Sequence, residues 1–189
     1  MTTRSEHLVL ASASPRRKRL LEEAGYLVRC VVSGAVELED DSAIPSALAL
    51  ENAARKARIV AARFPDDTVI AADTVVAMDG RFFGKPADMA DAFRMLAELS
   101  GKSHEVVTGV VIHSPGGARN EFFESSRVTF RLLGPDEIRA YIASINPLDK
   151  AGSYAAQDDG GRIISRIEGS VTNVIGLPLE RLVAELAAG

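Results

Sequence analysis

Residues 7 to 25 read HLVLASASPRRKRLLEEAG, and no other stretch constrains the fold as tightly. His7 to Ala11 is short and rich in β-formers, which predicts a buried strand. Ser14 then stands where an N-cap belongs, with Pro15 at the first helical position, where its missing N–H costs nothing. Leu20, Leu21 and Ala24 recur at helical spacing, and Gly25 marks the stop. A strand therefore runs through a tight turn into a helix start, whose free N–H groups and dipole attract anions. Arg16 and Arg17 sit at that positive end. They repel one another unless something negative joins them, and a guanidinium fork suits phosphate in particular. Taken alone, the run continued by Lys18 and Arg19 fits a solvated basic face as well.

Further along, Leu27 to Val32 reads as a second strand, followed by the acidic loop AVELEDD. Ile44 to Phe64 is a long helix with Pro45 near its start and Pro65 at its end. The segment DDTVIAADTVVAMDGRFFGKP reads as strand, Asp73, strand and a hairpin turn at Asp79-Gly80. Asp88 caps a helix running to Leu99 and closed by Gly101. Glu105 to Ile112 and Glu121 to Leu133 are strands joined by SPGGARN, and Pro135 to Ser144 returns to helix. The tail holds a glycine-rich loop, a strand from Arg162 to Ile167 and a helix from Pro178. Helices and strands alternate early and strands dominate the middle, which predicts an α/β fold with a mixed sheet flanked by helices. No repeat or linker divides residues 1–189, so a single domain is expected.

Composition narrows the function. A net charge of −4 over 189 residues argues against a general nucleic-acid binder, so any polyanion site must be built locally. The single cysteine, Cys30, excludes a disulfide within the chain. With Val31 and Val32 beside it, it reads as a buried structural thiol in a reducing cytoplasm. No stretch approaches the roughly 18 apolar residues of a membrane span. His7, His104 and His113 lack zinc-type pairing, and P-loop, dinucleotide and GxSxG patterns are missing.

Asp73 interrupts the apolar stretch Val69 to Ala77, where a charge is costly unless it caps a strand end or performs a task. It is a candidate general base or metal ligand, or else a turn residue at a strand break. Lys85, between Gly84 and Pro86, has little freedom and can serve as a point charge for phosphate. Lys56, in AARKAR, fits either a phosphate contact or a solvated helix face. Glu37, Glu39, Asp40 and Asp41 offer oxygen ligands to a hard divalent cation, and also fit an ordinary acidic surface loop.

These residues fall in motifs that resemble the Maf family of nucleotide pyrophosphatases: LASASPRR (10–17), RKA (55–57), AADTVV (71–76), GKP (84–86), SGKSHEVVTGV (100–110), PLDKAGSY (147–154) and GLPL (176–179). The resemblance runs from Leu8 to Leu182. It implies an α/β fold of two lobes with a central cleft, and hydrolysis of a nucleoside triphosphate to monophosphate and pyrophosphate with Mg2+ or Mn2+. It implies that Asp73 is the proton acceptor, that Ser12, Arg16, Arg17, Lys56 and Lys85 grip phosphates, and that Glu37 joins Asp73 on the metal. Arg16, Thr74 and Gln157 match the dTTP/UTP branch, whereas a branch acting on 7-methyl-GTP carries an aromatic residue, glutamine and glutamate there. An amide at Gln157 suits a uracil or thymine edge, being both donor and acceptor. Asp158 departs from the pattern, standing where a glycine is usual. Family members are often homodimers. A nucleotide sensor without turnover would use the same cations.

Overall fold

The computed structural model describes residues 7–40, 42–158 and 160–188; Asp41 of the acidic run lies outside them. One sheet contains β1 (His7–Leu10), β2 (Leu27–Cys30), β3 (Thr68–Met78), β4 (Arg81–Phe82), β5 (Ser103–His113), β6 (Arg119–Phe130) and β7 (Ile164–Glu168). Their order is β2-β1-β3-β5-β6-β7, with β4 beside β3. β1 runs parallel to β2 and β3, and the other pairs are antiparallel. The helices are α1 (Pro15–Glu23), α2 (Pro45–Ala61), α3 (Met89–Leu99), α4 (Pro135–Ser144), α5 (Val171–Ile175) and α6 (Leu179–Ala188). The mixed sheet flanked by helices is thus the observed architecture.

Strand alternation distributes the core. Val69 and Ala71 of β3 pack with Ala53, Ala57 and Val60 of α2. Ile70 and Ala72 face the other way, against Leu20 and Leu21 of α1 and Leu182 of α6. Farther along the sheet, Val76, Val106 and Val128 meet Leu96 and Leu99 of α3 and Tyr141 of α4. Each leucine buried in this way, Leu21 and Leu96 among them, contributes about 2 kcal/mol. The local signals hold as well. Ser14 accepts a hydrogen bond from the Arg17 amide and Asp88 from that of Asp91, while Asp79 and Gly80 have φ of 52° and 74°, the mirror-image turn that a tight hairpin needs.

Three expectations are corrected. Asp73 does not separate two strands: β3 is continuous through it, with Asp73 opposite Gly109 of β5. A charge is tolerated in mid-strand because partners on α2 receive it. Cys30 is exposed rather than buried, since β2 is the outer strand of the sheet; the partial loss of hydration that its neighbours still impose, with nearby Glu22 and against Lys18, holds its thiol above the usual range. Helix α5 was read as neither strand nor helix. In the loop bearing Asp158, which ends a one-turn helix over Ala156–Asp158, the positive φ values fall on Gly160 and Gly161.

One feature of the topology positions the site. On one edge of β3, β1 pairs with Thr68 to Ile70 and β4 with Ala77 and Met78. Between them the chain leaves β1 for α1, and the sheet has a gap beside residues 71–75. Strand β1 has its neighbours on opposite sides, so the gap lies at a switch point beyond a strand's carboxyl end, where α/β sheets bind ligands.

Candidate functional site

A pocket of about 890 Å³ opens at this gap. Along the gap, side chains from both faces of β3 reach one space: Asp73 from the α2 face and Thr74 from the α1 face. Ser12, Arg16 and Arg17 enter from the β1–α1 turn, Lys56 from α2, and Glu37 and Lys85 from loops; Gln157 lies on the wall. The fold brings Ser12, Arg16, Arg17, Glu37, Lys56, Asp73, Thr74, Lys85 and Gln157 to one cavity.

Its acidic centre is built on α2. Ala49, Asn52, Ala53, Lys56, Ala57 and Val60 share a helical face and are buried. Four of these six are small or aliphatic residues packed on the sheet, so the helix lies close. At Gly109 the approach is extreme: an added Cβ would stand 2.6 Å from the backbone of Ala49 and Leu50. Asn52 and Lys56 consequently reach Asp73. The Lys56 ammonium lies 2.6 Å from Asp73 Oδ1 and 2.5 Å from Glu37 Oε1, and Asn52 Nδ2 donates to Asp73 Oδ2 at 3.2 Å. Lys56 is only 8% exposed, which removes the solvated-face reading. Burial alone would push the Glu37 carboxyl up. The Lys56 hydrogen bond and the charges of Lys56, Lys85 and Arg17 outweigh it, leaving the group below its ordinary value.

The basic side is divided in its duties. The three nitrogens of Arg17 donate to Gly176 O at 2.7 Å, Ser12 Oγ at 3.2 Å and Thr74 Oγ1 at 3.0 Å. A guanidinium has five N–H groups, so two remain for a ligand. Burial is the largest influence on its pKa, which is lowered; Arg16 adds to that, and Asp73 and Glu37 oppose it. Arg16 reaches across the opening to Asp149, with both contacts at 3.4 Å. No acidic residue occupies the first turn of α1, so its positive end is not internally compensated. Lys85 is exposed on the rim.

Several contributors were not singled out individually from the sequence. Asn52 clamps the Glu37 loop, accepting from Leu38 N at 2.7 Å and donating to Leu38 O at 3.2 Å. Thr108, Asn173 and Asp149 also belong to the surroundings of the site. A helix-face asparagine and a strand threonine read as ordinary until the packing is known; only the spacing Asn52–Lys56, one helical turn, hinted that the two share a face. His104 lies outside the pocket, buried, with Nε2 2.9 Å from the Tyr154 hydroxyl, in the structural setting expected of it.

Comparison with known proteins identifies relatives of this chain. Residues 7–189 match the family model described as Maf-like protein. A protein of Akkermansia muciniphila named dTTP/UTP pyrophosphatase is 46% identical over 172 residues, covering 91% of this chain and 90% of the relative. A Bacillus cereus protein of the same name is 46% identical over 179 residues, covering 95% and 88%. The solved structure of a HAM1 protein from Coxiella burnetii shares the fold, with a TM-score of 0.53 and 16% identity over 97% of this chain and all (100%) of that one. The chain belongs to the Maf family.

Proposed function

We propose that this chain hydrolyses dTTP and UTP to the monophosphate and pyrophosphate in the pocket beside β3. The observation that carries the reading is a buried carboxylate, Asp73, held in mid-strand by Lys56 and Asn52 in a chain 46% identical to proteins named for that activity. Lys56 and Asn52 each take one Asp73 oxygen, which fixes the carboxylate and leaves further lone pairs for a water. The water oxygen attacks the α-phosphorus in line while its proton passes to Asp73. The bond to the bridging oxygen breaks, and pyrophosphate leaves with that electron pair. Arg16, Lys56 and Lys85 neutralise charge on the phosphates, and the α1 end with Ser12 orients them; chemistry of this kind rests on positioning and electrostatics.

The residues also fit a divalent cation. Glu37 and Asp73 present hard oxygen donors that converge on one cationic position, at present the Lys56 ammonium. Among the described residues no group of three His, Cys, Asp or Glu side chains can hold a metal, so water and phosphate oxygens would complete the shell of Mg2+ or Mn2+. When bound, that ion supplies neutralisation of phosphate charge. We extend the proposal to the nucleotide pool of a reducing cytoplasm, the setting that the single cysteine suits. The test is turnover of dTTP, UTP, CTP, GTP, ATP and 7-methyl-GTP with either metal. Leading rates for dTTP and UTP with pyrophosphate as product are expected; binding without turnover would make the protein a sensor instead.

A further inference from the structure

We propose that Gly152 is a positioning residue for the hydrolysis: its amide, shared between two backbone carbonyls, sets where Lys85 stands against the phosphates. The inference rests on the phosphate role given to Lys85 above. Lys85 is exposed on the pocket rim, and a lysine ammonium sits on a flexible stem of four carbons. A point charge of this kind is only as well placed as the backbone beneath it. Here that backbone is fixed at two levels. Phe83, buried in the core, donates its N–H to Val76 O of β3 at 2.8 Å. The carbonyls of Phe83 and Gly84, the two that precede Lys85 in the chain, both accept from the single Gly152 N–H, at 2.9 and 3.1 Å.

Gly152 does this through an unusual backbone conformation. Its φ of 68° and ψ of 8° lie in the left-handed region, where a side chain is costly. Space is short as well: an added Cβ would stand 3.2 Å from the Tyr154 ring and 3.3 Å from Val76 Cγ1, so ring or loop must shift. The ring has no easy retreat. Its hydroxyl lies 2.9 Å from His104 Nε2, and the next amide, that of Ala155, donates to the Tyr141 hydroxyl at 3.1 Å. Ser153 is left-handed too, with φ of 63°, although it is fully buried and carries a side chain. Strain of this kind persists only where the surroundings impose it, and it collects at functional sites. The strained pair turns the chain between Asp149, which meets Arg16 at 3.4 Å, and Gln157 on the pocket wall. In turning, it aims the Gly152 amide at the loop that carries Lys85.

The experiment is a double-mutant cycle in kcat/KM for UTP across wild type, Gly152→Ala, Lys85→Ala and the double variant, with stability read by chemical denaturation. Lys85→Ala should lose about ten- to a hundredfold. Gly152→Ala moves the Lys85 loop and should lose about tenfold. In the Lys85→Ala background it should cost no more than about twofold, because the group it positions is gone. Equal losses in both backgrounds would make Gly152 merely structural and overturn the proposal. Should Gly152→Ala not fold, amide hydrogen exchange at Gly152, read by NMR with saturating inorganic triphosphate as the probe, decides instead. By linkage, a grip exerted through Lys85 slows this exchange in the wild type and leaves it unchanged in Lys85→Ala; equal slowing in both, or none in either, overturns the proposal. A fault in the phosphate reading shows separately, as wild-type kcat/KM in Lys85→Ala, and removes the proposal with it.

Discussion

Asp73 concentrates the chemistry of the pocket because its carboxylate is buried, fixed at both oxygens and placed beside a cluster of cations. Asp73→Asn keeps the shape and removes the proposed proton acceptor. It should lower kcat by about 10²–10⁴-fold while nucleotide affinity, measured by calorimetry, stays within a few-fold of wild type. This residue was legible in the sequence because a charge inside an apolar run is costly wherever the run folds. Asn52 was not, because its value depends on Gly109 letting α2 approach the sheet. Away from the pocket, His104 gives the fold an acid-sensitive point. Burial pushes its pKa down from 6.5 to about 4, below the value in the unfolded chain, so unfolding takes up a proton between those limits. The neutral ring's contribution is intact above pH 6.5 and is lost as pH falls towards 4. Denaturant unfolding should show about 2 kcal/mol less stability at pH 5 than at pH 7. His113, also lowered, by burial and Arg119, acts in the same direction, so His104→Phe should remove most of the slope but not all of it.

At the scale of elements, the contact between α2 and β5 is what assembles the acidic centre. Gly109→Ala puts a methyl group 2.6 Å from the α2 backbone, and helix or strand must move. The variant should lose about 1–3 kcal/mol of stability, read by chemical denaturation, and lose turnover beyond what that fraction unfolded explains. Asn52→Ala acts on the loop instead. It deprives Leu38 of both its side-chain partners, freeing Glu37, and should lower kcat by about ten- to a hundredfold with a raised metal requirement. Capped and periodic elements were readable in advance: Ser14-Pro15, Asp79-Gly80 and Asp88 each specify their backbone through local chemistry. Cys30 was misjudged because its strand is at the sheet edge, a property of strand order that neighbouring valines do not encode. Helix α5 was missed because Val171, Thr172, Val174 and Ile175 favour extended backbone; the Ser170 cap and the buried contacts of Asn173 override that preference.

For the molecule as a whole, the account joins a break in sheet pairing, a positive helix end and a carboxylate pair into one hydrolytic pocket. No described helix is long and apolar enough to cross a membrane, and the net charge is −4, so binding of a polyanion depends on this local cluster of cations. Chelation by EDTA should abolish turnover, and Mg2+ or Mn2+ should restore it, with Glu37→Gln demanding more metal for half-maximal rate. The most direct test of the central claim is a single turnover of UTP in water enriched in 18O, with the products resolved by mass spectrometry. Attack at the α-phosphorus by a water activated at Asp73 predicts UMP carrying one 18O atom, together with unlabelled pyrophosphate. UDP and labelled phosphate, or unreacted UTP still bound to the protein, would contradict it.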